Sequence, residues 1–487
     1  MSKEKQGIWS NPLLSSKVTS PNVKTPEMLI GYLIGPFGAL LSSGILTSWL
    51  NKYFTDVLQL DTAFLSGLQL VSTIFIVAAN LIVGQLIERT KTMAGKARPW
   101  VLLSALTLSV ASLLMFIVPF EGVAKMVWIA IAFNLYYAVA YPIYNTANST
   151  LVPVSTRDSG QRATLASFTN IAGLGVMGVG SMIFPMLVSN VLGTSQNMWF
   201  LVMLGVAIFS ALTIFLQYQF TRERVTEESM GDNAAAEQKA GSPSIGDQLK
   251  AVTSEKWWWI AIIFYFFFQA SGAMKNGSMS YFCQWVVDSS GFGGDWGAVQ
   301  GLLAVLGAIP MAAAAAIVVP LANKFGKRPV VFIGMIVGVA GGVIAGLGGG
   351  AIVPTAIGVA LKCLGSAPAA YLILAMLADV IDHIEFVHNI RTDGLTMSIY
   401  SSIMVAVTPV CNAIFMAMLS ATGYVAPPED AVLAAQMSQN VNVEVAIGVS
   451  YIWIETVAYA VCALLMVLWT VEKNLPEEQK AIAERKK

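Results

Sequence analysis

VGQLIERTKTMAGKARPW, residues 83–100, is a short basic loop held between two long apolar segments. Ala63 to Ile87 before its charges and Trp100 to Phe120 after them contain no charged residue, and each can cross a hydrocarbon core about 30 Å thick. A loop carrying Arg89, Lys91, Lys96 and Arg98 between two such spans belongs on the cytoplasmic face of a membrane. The orientation of every other span follows from that placement.

Of the 487 residues, 56% are hydrophobic and 11% charged, against about 25% charged in a soluble globular protein. The composition is that of a polytopic membrane protein. Net charge is zero, yet nearly all basic residues fall in the tails and in loops assigned to the inside, which leaves Lys52 and Lys125 outside. Basic loops this short and scattered argue against nucleic acid as a partner. Cys283, Cys363, Cys411 and Cys462 sit in or at apolar segments without CxxC or Cys/His spacing, so they read as packing residues rather than metal ligands or disulfides. The polar stretch before the first span has no small-residue cleavage site and is expected to be a cytoplasmic tail, not a signal peptide.

Apolar windows of about 19 residues or more fall into two sets of six. The first six run Leu29 to Leu50, Ala63 to Ile87, Trp100 to Phe120, Ala124 to Asn148, Ala163 to Val188 and Met198 to Phe220. The charged, small-residue stretch from Thr221 to Lys256 then reads as a cytoplasmic linker. Six more spans follow, Trp257 to Val287, Trp296 to Ala322, Val330 to Leu347, Ala351 to Ala378, Leu395 to Thr422 and Val445 to Val471. The expected organisation is a tail over 1–28, a six-helix bundle over 29–220, a linker over 221–256, a second bundle over 257–471 and a cytoplasmic tail over 472–487. Both bundles repeat one loop in the same place, AGKARPW after the second span and KFGKRPVV after the eighth. Such a repeat predicts two bundles related by an axis along the membrane normal, with a solute site between them.

Four motifs resemble one family. GQLIERTKTMAGKARPW, YPIYNTANSTLVP (Tyr141 to Pro153), MKNGSMSYFCQWV around Asn276 and LADVIDHIEFVHNIRTDGLTMS (Leu377 to Ser398) are similar, in this order, to stretches of the glycoside, pentoside and hexuronide cation symporters. These are the melibiose-carrier family of the major facilitator superfamily. The resemblance implies an all-α membrane protein of twelve transmembrane helices in two six-helix bundles, and a sugar, glycoside or hexuronide as substrate. It also implies two cation-binding carboxylates one turn apart on the second helix. At the matching positions stand Ile76 and Asn80, with Thr73 one turn earlier. The acidic positions of the first and fourth helices fall at Leu40 and Asn145, and the lysine of the eleventh at Val405. If an ion couples transport, Na+ or H+, it does not use the family's cation geometry.

What remains polar in the spans defines the candidate site. Asn134, Tyr137, Tyr141, Asn145 and Asn148 recur at spacings of three and four, one face of a helix. They line a cavity or bind a neighbouring helix as interhelical glue. Thr408, Ser401 and Asn412 on the eleventh span, Ser43 and Thr47 on the first, and Asn276 beside Lys275 extend the set. Three ionisable groups lie clearly inside spans: Lys275, Lys362 and Glu455. Each needs a partner, because a charge at the bilayer centre costs about 3 kcal/mol or more. The two lysines are expected to attract an anionic group of the substrate, unless Lys275 snorkels to the surface. Glu455 is expected to neutralise Lys362 as a structural pair, with a proton-titrating role as the alternative. Tryptophans at span ends form an aromatic belt.

On the inner face, Arg89, Lys96 and Arg98 of one half and Asp379, Asp382 and Arg391 of the other are expected to form ion pairs that gate the cytoplasmic side. Ordinary topology-setting charge is the alternative. His383 and His388 read as hydrogen-bonded or solvated. Gly346 to Gly350, GLGGG, lacks a preceding strand and is a turn between spans. No nucleophile motif or metal signature appears, so the chain is read as a secondary transporter without cofactor, not an enzyme. It is expected to be a monomer of the plasma membrane with both termini cytoplasmic, moving a small polar solute by alternating access. A carrier of amphipathic molecules and a transport-deficient sensor are the rival readings.

Overall fold

The computed structural model describes residues 15–90, 92–156, 158–226, 245–390, 392–428, 437–473 and 475–485. Lys91, Arg391 and most of the central linker lie outside the described residues. The first six long helices are α1 (Glu27–Val57), α2 (Thr62–Arg89), α3 (Arg98–Leu114), α4 (Gly122–Ser155), α5 (Ser159–Leu187) and α6 (Gln196–Gln219). The second six are α7 (Lys256–Trp285), α8 (Trp296–Phe325), α9 (Lys327–Leu347), α10 (Ile352–His388), α11 (Asp393–Thr422) and α12 (Val441–Lys473). Ten of these are long and apolar enough to cross a membrane. The other two contribute the shorter apolar helices Arg98–Leu114 and Met182–Leu192. This is the all-α, twelve-span membrane architecture that the sequence predicts.

The contacts divide the chain into two compact units. One comprises Met1–Leu60, Val71–Phe184 and Val191–Gln238, the other Asp61–Leu70, Pro185–Asn190 and Lys239–Lys487. Within the second unit, α9 is the central packing element, and its glycines explain why. A Cβ on Gly334 would meet the Gly365 carbonyl of α10 at 2.6 Å, and one on Gly341 would meet the Gly358 carbonyl at 2.7 Å. Gly338 lies as close to Tyr459 of α12, at 2.6 Å. Lipid is as apolar as leucine, so helices in a membrane associate by such close backbone approach rather than by hydrophobic burial. In the first unit Gly31 and Gly35 of α1 do the same against Phe220 and Gln217, each at 2.5 Å.

The repeated loops are built alike in the two units. After α2, the Glu223 carboxylate accepts from the backbone N–H groups of Lys96 (2.8 Å), Ala97 (2.8 Å) and Arg98 (2.7 Å). The Arg98 guanidinium donates to the Tyr218 carbonyl at the end of α6 and lies over the Tyr218 ring. After α8, Glu472 accepts from the Arg328 N–H at 3.1 Å, and the Arg328 guanidinium donates to the Met466 and Val467 carbonyls of α12. In both, an acid at or just beyond the end of the unit's last helix caps the loop, and the loop arginine satisfies terminal carbonyls that a helix leaves open.

Three helix boundaries differ from the sequence reading. α10 runs ten residues past Ala378, so Asp379, Asp382 and Glu385 lie on a helix rather than in a loop; nothing breaks its pattern before Asn389, which ends it in the left-handed region at φ 55°. Ile245–Ser254 of the linker is helical, and so is Leu475–Arg485 of the C-terminal tail. Both carry apolar residues at helical spacing among their charges.

Candidate functional site

In the first unit, α4 carries the polar stripe. Asn134, Tyr137, Tyr141, Asn145 and Asn148 are all half-buried, whereas Ile131, Leu135 and Val139 on another side of the helix are exposed. The stripe crosses a π-helical turn, Leu135–Ala140, a wide turn of the kind that recurs at functional sites. The Tyr137 hydroxyl approaches Thr47 and that of Tyr141 approaches Ser43, so the hydroxyls of α1 face those of α4. Tyr137 also packs edge-on against Tyr136, with ring centroids 4.9 Å apart. Asn134 donates to the Ala130 carbonyl of its own helix at 2.9 Å, while its Oδ1 is buried with no hydrogen-bond partner among the described residues. Asn148 is placed differently. Its Oδ1 accepts from Gln217 of α6 at 2.6 Å, and Gln217 in turn accepts from the Tyr144 hydroxyl at 3.2 Å. That is a helix-to-helix bond of the gluing kind.

On α2, Ile76 is buried, 4% exposed, and the Asn80 side chain donates back to the Ile76 carbonyl at 2.8 Å. Thr73 is half-buried. An amide turned onto its own helix and an isoleucine do not supply the paired anionic oxygens that a Na+ site on this helix needs.

In the second unit the three buried charges converge. Lys275 of α7 lies 10 residues from the Trp285 end of its helix, Lys362 of α10 lies 10 from Ile352, and Glu455 of α12 lies 14 from Val441. At 1.5 Å per residue all three sit about 15–20 Å in from the same set of helix ends. Glu455 is fully buried. It takes Lys275 Nζ at 3.3 Å on Oε1, Lys362 Nζ on Oε2, and the Tyr459 hydroxyl at 2.7 Å. Lys362 also donates to the Tyr451 carbonyl at 3.2 Å, and its ammonium lies 5.5 Å from the Tyr451 ring centroid. Tyr451 belongs to the π-helical turn Val449–Trp453, whose wider winding brings that carbonyl within reach of Lys362. The expected Lys362 and Glu455 pair is thus one half of a triad. Asn276, beside Lys275, is exposed, and Thr408 of α11 is half-buried.

Of the residues expected to gate, Arg98, Asp379 and Asp382 bond to partners within their own units. Arg98 is buried in the loop clamp described above, Arg89 is exposed and Lys96 half-buried. Asp379 binds Lys327 Nζ at 2.6 and 2.7 Å, and Asp382 accepts from Gln479 of the C-terminal helix at 2.9 Å. Arg391 lies outside the described residues. His383 meets Glu478 at 2.9 Å and His388 meets Glu255 at 3.0 Å, so both are hydrogen-bonded. Two buried ion pairs escaped the sequence reading: Lys52 with Asp56 at 2.8 Å, and Glu27 with Arg224 at 2.7 Å. Both lie near span ends, where charge is ordinary and its pairing leaves no mark in the sequence.

Twelve apolar helices, a scaffold of glycine-packed bundles and a few polar groups held within the spans define a secondary transporter, not an enzyme. The description of MFS/sugar transport proteins matches residues 31–473, and the chain belongs to this family of the major facilitator superfamily, which includes the glycoside, pentoside and hexuronide symporters. Among curated relatives it is 27% identical to an isoprimeverose transporter of Lactiplantibacillus pentosus, over 92% of this chain and 89% of the relative. It is 24% identical to a putative 2,3-dihydroxypropane-1-sulfonate exporter of Salmonella typhimurium, over 75% of this chain and 77% of the relative. A solved structure of the nucleoside transporter NupG shares the fold, with a TM-score of 0.62 and 13% identity, covering 91% of this chain and 99% of that one.

Proposed function

We propose that this protein transports a small polyhydroxylated solute, a sugar, glycoside or hexuronide, by alternating access. The observation that carries this reading is the half-buried stripe of amides and phenols on α4 facing the hydroxyls of α1. Neutral donors and acceptors of this type match sugar hydroxyls, and the buried Asn134 Oδ1 is an acceptor without a hydrogen-bond partner among the described residues. The relatives named for isoprimeverose and for a dihydroxylated sulfonate support a polyol of modest size. Since α2 lacks the paired carboxylates, transport does not depend on Na+ bound there. The protein works as a monomer in the plasma membrane with both termini cytoplasmic.

Thermal unfolding of the purified protein against a panel of sugars, glycosides and uronates tests the reading, because a ligand that binds the folded state raises its melting temperature. Hits are then followed as uptake into proteoliposomes with and without Na+. Stabilisation by at least one polyol, with Na+-independent uptake, is expected. A panel without a hit, or uptake that requires Na+, overturns the corresponding part.

One observation favours a second reading, a carrier of amphipathic molecules. An open groove of about 410 Å3 on the second unit is lined by apolar residues of α8, α9 and α10, among them the exposed Ile317, Phe325, Ile333 and Leu364. Amphiphiles in the same panel distinguish the two, since only this second reading expects them to raise the melting temperature.

A further inference from the structure

The triad carries two ammonium groups and one carboxylate, a surplus of one positive charge inside the spans. Among the described residues of the second unit, no other carboxylate lies at that depth. Asp288, Asp295 and Glu444 stand at the same helix ends from which the depth was measured, and Asp379, Asp382 and Glu385 stand in the last turns of α10. The first six spans contain no Asp or Glu away from their ends. An uncompensated charge here is costly, so the surplus calls for a counter-ion that none of the described residues supplies.

The two lysines are not equivalent. Lys362 is closed in, its side chain 2% exposed, and is held by Glu455 and the Tyr451 carbonyl. Lys275 is 21% exposed and holds Glu455 by the longer contact, 3.3 Å. An ammonium has three donors; on Lys275 one faces Glu455 and the open side leaves room for an incoming acceptor, next to the exposed Asn276 amide.

We propose that Lys275 docks an acidic group of the transported solute, a carboxylate or a sulfonate, and that Glu455 is its resident counter-ion. In the empty site Glu455 holds both lysines. When an acid arrives, Lys275 turns to it while Glu455 stays with Lys362, so the cluster becomes two neutral pairs and the surplus disappears. This rests on the polar-solute reading above and narrows it to acids.

The test compares matched ligands, glucuronate and glucose as one pair and lactate and ethanesulfonate as small acids, by calorimetry on the purified protein at fixed ionic strength. A charge-assisted hydrogen bond in such a site favours the acid by about ten-fold or more. Lys275→Met is expected to abolish that preference, so that acid and neutral sugar bind alike, and to fold, since Glu455 and Lys362 remain a neutral pair. Lys275→Arg is expected to keep the preference. Neutral sugar binding as tightly as its acid in the parent overturns the inference and leaves the sugar reading standing. Acids binding through Lys275 while neutral sugars do not bind uphold the inference and overturn the neutral-sugar part of that reading. No binding by any ligand overturns both. If Lys275→Met does not give monodisperse protein, the acid preference of the parent together with Lys275→Gln decides the matter in the same way.

Discussion

Glu223→Ala is the substitution whose effect on folding the structure specifies best. The wild-type carboxylate accepts three backbone N–H groups at 2.7–2.8 Å, and its Oε2 also accepts from the Thr226 hydroxyl at 2.8 Å. Alanine orphans all three amides of a loop whose Ala97 and Arg98 are buried. At about 1–3 kcal/mol for each buried donor left unpaired, with water reaching Lys96, the loss is about 3–6 kcal/mol. For a unit of this size that lowers the melting temperature by about 6–24 °C. Glu223→Gln is intermediate. One amide oxygen replaces Oε1 and keeps the Ala97 and Arg98 donors, while the NH2 group meets the Lys96 N–H donor to donor. The counterpart Glu472→Ala is expected to lose less than half as much, because Glu472 receives a single N–H, from Arg328, at 3.1 Å. Melting of the purified variants by intrinsic fluorescence reads all three. A Glu223→Ala protein melting within about 2 °C of the parent, or a larger loss in Glu472→Ala, refutes the account of the loop.

Three further outcomes are expected. Glu455→Ala removes the one anion of the triad and leaves two buried ammonium groups, a loss of about 3–5 kcal/mol, whereas Lys362→Met leaves Glu455 paired with Lys275 and loses less; melting curves in the reverse order contradict the triad. Gly358→Val places a Cβ 2.5 Å from the Gly341 carbonyl and 2.6 Å from the Ala345 Cβ, where backbone cannot yield, so the variant is expected to elute as aggregate in size-exclusion chromatography. Asn148→Ala breaks the bond to Gln217 at about 0.6 kcal/mol and leaves the KM for transport unchanged, while Asn134→Ala raises it; equal effects on KM would place both residues in the same role.

The span count, the break between the two sets of six and the repeated loop were legible because each is a local property of the chain. A hydrocarbon slab imposes a minimum apolar length, and basic residues stay on one side, so windows and charge positions are enough. The polar stripe on α4 was legible for the same reason, since helical period alone puts Tyr137, Tyr141 and Asn145 on one face. Helix ends were less so: Asp379 and Asp382 looked like loop charges because hydropathy stops before the helix does.

Sequence alone therefore determined the class of protein, its twelve apolar helices, and the absence of an acidic pair on the second. Only the tertiary structure decided which charge meets which. Lys275, Lys362 and Glu455 come from three helices far apart in the chain, and their equal depth and shared carboxylate arise only when α7, α10 and α12 pack together. Asn148 and Asn134 look alike in the stripe, yet Gln217 donates to the oxygen of one and no described residue donates to the oxygen of the other. Pairing depends on the neighbour's position in space, and no periodicity of a single helix encodes that.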